Sequence, residues 1–420
     1  MNILKILLVL SLCIFLNSQA LAKDVNYNKE IEIYNNFIKV NDKDIEAYLN
    51  RGNIYKLNEK YDKAIEDYSK VIKLDPKNFY AYFNRGNIFE KIKKNDLAID
   101  DYNKAIKLNS NNAFVYFSRG QVYFAKGEKD LAIKDYTVAV KLYPEYKEAY
   151  IRRGYIYEGK GLFKDAIDDY NKAISISPKE ADLYSKLEEA DLYSKLEEVD
   201  LYCKLARLYN NNGMVEEALN TFNKLIKIYP NYSYAYAQRG TVYKFAGRYD
   251  EAINDYNKAI DLYPKYNQLY IMRADAYYLK NKNDEAIADY NKALQLEAED
   301  VNVYVDRGRS YLAKNYFDEA FSDFNKAIKI NPQYIRAYYY RGLAYSIKEE
   351  FELAIKDYNK AIELDYKFFD SYYDCMAYMK LNRKKEAIDS FKLYIKHEGN
   401  SDSKKLEKAN HIIKILEMNQ

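Results

Sequence analysis

Between Ala47 and Pro76, apolar and small residues recur with the spacing of a helix. With Ile45 as position 1, Tyr48, Gly52 and Tyr55 stand at positions 4, 8 and 11. Ala64, Tyr68 and Val71 stand at positions 20, 24 and 27. Steps of three and four residues place each trio on one helix face, leaving polar residues on the other. The pattern predicts two helices joined by a turn at Asn58 to Tyr61. Pro76, which cannot continue a helix, closes the pair. The small residues at positions 8 and 20 predict that the two helices approach closely.

The same pattern returns every 34 residues. Arg-Gly recurs at 51/52, 85/86, 119/120, 153/154, 239/240, 307/308 and 341/342, and all six prolines fall at position 32. Position 15 supplies a turn glycine in Gly127, Gly161, Gly213 and Gly247. A fixed period of this length predicts stacked supersecondary units sharing one extended core. Full units begin at 45, 79, 113, 147, 199, 233, 267, 301, 335 and about 369. At these positions the chain resembles the tetratricopeptide repeat family, whose units are helix–turn–helix pairs. The resemblance implies an all-α, right-handed α-solenoid (superhelix) of about ten such units. An N-terminal half repeat spans 27–43, units 1–4 span 44–178, and units 5–10 span 199–400. Leu406, Ala409, Ile412, Ile413 and Leu416 form one apolar stripe, so 401–420 reads as a capping helix.

Between units 4 and 5, 179–198 is an insertion. Residues 181–189 and 190–198 are identical nonapeptides, and together they add 18 residues, five whole helical turns. The helix phase is therefore kept, and one long helix from about 180 to 210 is expected. Leu192, Tyr193 and Leu196 would face away from Leu183 and Leu187. This spur is either a contact for a dimer or partner, or a duplication tolerated at an exposed point.

Comparing the repeats with one another reveals a pair. Position 7 is Arg51, Arg85, Arg119, Arg153, Arg239, Arg273, Arg307 and Arg341. Position 23 in the same units is Asp67, Asp101, Asp135, Asp169, Asp255, Asp289, Asp323 and Asp357. The unit at 199 has Leu205 and Thr221 instead, and the last has Cys375 and Ser390. Partners that appear and vanish together predict an Arg–Asp bridge inside each repeat. Such bridges fix geometry more than they add stability.

The first residues change the setting. Lys5 precedes an apolar run from Ile6 to Leu16, and Ala20-Leu21-Ala22 follows. This layout predicts a signal peptide over 1–22, cleaved after Ala22. The run is short for a membrane span, so no span is expected in the mature chain. The chain would be exported, periplasmic or secreted; the alternative is an uncleaved membrane anchor. Cys13, Cys203 and Cys375 fit no metal or disulfide framework, and few thiols suit an oxidising compartment. A Lys-, Asn-, Ile- and Tyr-rich composition suggests an AT-rich bacterial genome.

Lys and Arg number 66 against 63 Asp and Glu, spread along the chain, so no basic patch calls for nucleic acid. No phosphate loop, nucleophile elbow or metal cluster stands out. The expectation is a non-enzyme with no catalytic residue, metal or cofactor. By resemblance, positions 2, 5, 6, 9, 12 and 13 line a concave groove. These hold Asn50, Asn53, Asn84 and Asn87, then Phe117, Gln121 and Tyr155, and later Arg207 and Arg309. Amides beside aromatics suit the backbone of an extended peptide. Some family members clamp a C-terminal carboxylate with a lysine at position 5, which this chain lacks. The function implied is a protein- or peptide-binding scaffold in the cell envelope. The alternative is a self-associating structural component using the 181–198 spur.

Overall fold

The computed structural model describes residues 27–176, 190–364, 376, 378–398 and 403–418. The segment read as a leader, the first nonapeptide and the start of the tenth unit, with Cys375, lie outside the described residues. So do the side chains of the second nonapeptide before Glu198. The described residues contain helices and no strand. The chain divides into two compact units, 1–214 and 215–420.

In the first unit, α1 (Tyr27–Val40) is the lone helix expected of a half repeat. Helix pairs follow: α2 (Ile45–Leu57) with α3 (Tyr61–Leu74), then α4 (Phe79–Lys91) with α5 (Asn95–Leu108). Next come α6 (Ala113–Ala125) with α7 (Lys129–Leu142), and α8 (Lys147–Gly159) with α9 (Phe163–Ile176). Helix α10 (Ala190–Asn211) ends the unit. It carries the last nine residues of the duplication straight into the repeat at 199. Its Leu201, Leu205 and Leu208 pack with Ala166, Tyr170 and Ala173 of α9. Despite 18 extra residues, α10 therefore docks where the next first helix belongs.

The second unit opens with α11 (Val215–Ile228). Its pairs are α12 (Ser233–Phe245) with α13 (Tyr249–Leu262), and α14 (Asn267–Leu279) with α15 (Asn283–Leu296). They continue with α16 (Val301–Ala313) and α17 (Phe317–Ile330), then α18 (Ile335–Ile347) and α19 (Phe351–Leu364). Then come α20 (Lys384–Glu398) and α21 (Ser403–Met418). Ala409 and Ile413 of α21 cover Ile388 and Phe391 of α20. The stripe predicted for a cap thus buries its apolar side.

Each pair closes on the residues the pattern singled out. Ala64, Tyr68 and Val71 are fully buried, as are their counterparts Ala98, Tyr102 and Ala105. A Cβ on Gly120 would stand 2.8 Å from the Tyr136 ring, so glycine at position 8 admits the facing aromatic. The turn between the paired helices takes a left-handed residue at position 15. Gly127, Gly161, Gly213 and Gly247 adopt it, and so do Glu59, Lys93, Asn281, Asn315 and Glu349. Successive first helices also touch one another: α2 with α4 and α4 with α6, and in the second unit α12, α14, α16 and α18 in series. First helices therefore line the inner side of each unit, and second helices its outer side.

Candidate functional site

The position-7 arginines bind the two helices of each repeat together and reach the preceding repeat. In all eight units, Nε and Nη2 donate to the two carboxylate oxygens of the position-23 aspartate at 2.6–2.9 Å. Nη1 donates back to position 25 of the repeat before, from Asn35, Ser69, Asn103 and Thr137 to Asn223, Asn257, Asn291 and Asn325. Rings at positions 4 and 11 flank the guanidinium; in the repeat at 113 they are Tyr116 and Tyr123, at 5.7 and 5.6 Å. Burial pushes the Asp67, Asp135, Asp169 and Asp323 carboxyls upward, with the arginine bonds opposing it. Desolvation therefore offsets much of the attraction, and the bridge acts mainly as a register pin.

The link to position 25 was not visible in the sequence comparison. Where arginine is replaced, the amide at position 25 finds a tyrosine. Asn171 donates to the Tyr209 hydroxyl at 2.8 Å, and Asn359 to the Tyr378 hydroxyl at 3.3 Å.

The nine side chains proposed for the groove separate into two groups. Asn53 Oδ1 accepts from the Tyr68 hydroxyl at 2.7 Å and from Asn84 Nδ2 at 3.3 Å. Lys56 donates to Asn84 Oδ1, and Tyr102 to Asn87 Oδ1. Phe117 lies against Tyr146 and Tyr136, at centroid distances of 4.7 and 5.5 Å. These four mainly join neighbouring helices. By contrast, Asn50 is partly open and Arg207 is exposed. Tyr155 is 53% exposed, with one ring edge on Phe124. Gln121 lines a hollow of about 290 Å³ with Phe117, Ile151, Arg152, Asp200 and Lys204. That hollow is formed entirely by first helices of the first unit, α6, α8 and α10.

Arg309 sits in the second unit, between the rings of Tyr278 and Tyr340, at 4.6 and 4.9 Å. Its Nη1 donates to Asp306 Oδ1 at 2.9 Å, and Nε is buried without a hydrogen-bond partner. The same Asp306 oxygen accepts from Arg336 Nη2 at 2.6 Å. Across the hollow, Asp275 accepts from Lys244 at 3.1 Å and from the Tyr290 hydroxyl at 2.8 Å. Phe245, 75% exposed, and Leu279 form the apolar side of this space of about 350 Å³. Lys244, Phe245, Tyr278, Leu279 and Asp306 stand at groove positions 12, 13 and 6, but the sequence alone does not single them out from the other residues there. A signal was present: position 24, tyrosine in most units, is phenylalanine (Phe222 and Phe324) in the two units whose position 9 is arginine, Arg207 and Arg309. A phenol there would have offered the guanidinium a nearby oxygen.

No helix among the described residues is long and apolar enough to cross a membrane. Tetratricopeptide repeat models match residues 79–112, 148–180 and 335–365, as well as 113–146, 197–265 and 238–300. A TPR repeat model matches 52–93 and 308–346. Comparison with curated proteins yields no match. Among solved structures, a crystal structure of MamA is 32% identical with a TM-score of 0.36, covering 37% of this chain and 92% of its own. MamA from Desulfovibrio magneticus RS-1 is 18% identical with a TM-score of 0.38, covering 40% and 95%. Yeast Tom70 is 19% identical with a TM-score of 0.42, covering 90% and 96%. With repeat models matching from residue 52 to 365 over successive helix pairs, the chain belongs to the tetratricopeptide repeat family.

Proposed function

We propose that the chain is a non-catalytic scaffold that holds an extended segment of another protein along its first helices. One observation carries the reading. The hollows that open onto the inner sides of the two units are lined almost wholly by first-helix side chains, polar and aromatic together. A β-like segment laid across such helices meets side-chain donors and acceptors without needing a sheet edge. The structural arginines, aspartates and buried tyrosines are consumed by the fold, which leaves Asn50, Gln121, Tyr155, Arg207 and Arg309 to meet a ligand. The setting we assign is the bacterial cell envelope, reached through the leader at 1–22.

Affinity capture from a native envelope extract of the source organism tests this. The full chain should retain a stoichiometric protein partner, and Arg207→Glu with Arg309→Glu should lose it. A chain that captures nothing, yet gains mass with concentration, would replace this reading with self-association through the 181–198 spur.

A further inference from the structure

The Arg309 hollow has a donor edge that no described residue fills. In the eight position-7 arginines, the Nε–Nη2 edge holds both oxygens of an aspartate. In Arg309 the corresponding Nε has no partner, and no described residue bonds Nη2. The guanidinium is nonetheless fixed in plane, because Tyr278 and Tyr340 stack on it and Asp306 holds Nη1. Nε itself is enclosed, so Nη2 is the nitrogen of that edge left to bond a carboxylate, on a guanidinium already held in place.

Charge decides which anion. Lys244, Arg309 and Arg336 bring three positive charges, and Asp275 and Asp306 two negative ones. Asp306 is shared by two guanidiniums, and Asp275 is taken by Lys244 and Tyr290. One positive charge is left over, which suits a monoanion. A phosphoryl dianion would bring a second charge against the two carboxylates. The flanks then choose between a side chain and a chain end. Phe245 and Leu279 end α12 and α14, Arg336 lies at the start of α18, and all three line the hollow. A ligand that meets both the helix ends and the helix start must run across it.

Resting on the scaffold reading above, we propose that this hollow takes the Glu or Asp side chain of an extended internal segment, with a bulky apolar neighbour seated on Phe245 and Leu279. The acid bonds Arg309 at Nη2, beside the guanidinium nitrogen that Asp306 already holds.

The test selects peptides from a random library, N-acetylated and C-amidated, on the full chain. Fluorescence anisotropy then compares each selected peptide with its Glu→Gln, Glu→phosphoserine and apolar→Ala versions. The Gln version should bind about 10- to 100-fold more weakly, the change expected when a charge-assisted bond to arginine is lost. Arg309→Leu should erase the Glu preference, and Arg309→Lys should keep part of it. The comparison of peptides on the unaltered chain is independent of whether either variant folds. Selected peptides indifferent to Glu→Gln would overturn this proposal and leave the scaffold reading standing. So would tighter binding of phosphoserine, or binders that are found only when the selection is repeated with a library carrying free C-termini. Retention of no peptide at all would overturn both.

Discussion

At the scale of single residues, the Arg–Asp pairs have a measurable consequence. Arg119→Ala or Asp135→Ala leaves one buried charge without its counter-charge and should cost about 3–5 kcal/mol. The chain itself suggests a cure, since the unit at 199 carries Leu205 and Thr221 at these positions. Arg119→Leu with Asp135→Thr should therefore cost less than either single change, with Asn103 turning to Tyr123 as Asn171 does to Tyr209. Urea unfolding midpoints decide; a double variant as unstable as the sum of the singles contradicts the pairing argument. The pair could be read from sequence because its members vary together. The third bond could not. Asn171 and Asn359 persist where arginine is gone, because an amide has a tyrosine hydroxyl to fall back on. Cys203 shows burial at work as well: its thiol is pushed up to about 11. In a Cys13→Ser, Cys375→Ser background it should resist disulfide reagents at neutral pH until the chain unfolds; stoichiometric labelling of the folded chain would show the site is open.

At the scale of the helix pair, two tight places carry the fold: the left-handed turn residue and the glycine against the aromatic ring. Lys93 has φ of 60°, a conformation that costs an L residue about 1–2 kcal/mol, partly offset in glycine by chain entropy. Lys93→Gly should therefore raise stability by about 0.5–1 kcal/mol, visible as a higher thermal midpoint. Gly120→Ala puts a methyl 2.8 Å from a Tyr136 ring carbon and should lower stability by about 1–3 kcal/mol. An unchanged midpoint would mean that the ring moves freely. The helix pairs, the half repeat and the cap were legible because apolar spacing alone specifies them. The turn conformation was legible only where glycine marked it. Glu59, Lys93 and Glu349 adopt it because the flanking helices leave the backbone no other way to connect.

At the scale of the whole molecule, the first helices on the inner side of each unit were legible, but their free side chains were not. The position rule chose Asn53 and Asn87 for a ligand, yet the buried Tyr68 and Tyr102 hydroxyls already use them. A lone sequence cannot reveal this, because each hydroxyl needs an acceptor only once packing has removed its water. The hollows are likewise assembled from three or four repeats, so no single repeat contains one. On the scaffold proposal, protein partners lie along the first helices. Site-specific photocrosslinking in the source cells decides it. A benzophenone residue at Gln121, within the first-unit hollow, is compared with one at Lys134, exposed on the second helix of the same repeat. Crosslinks to one discrete partner from position 121 and none from 134 are the predicted result. Equal crosslinking from both positions, or crosslinking from 134 alone, would contradict it.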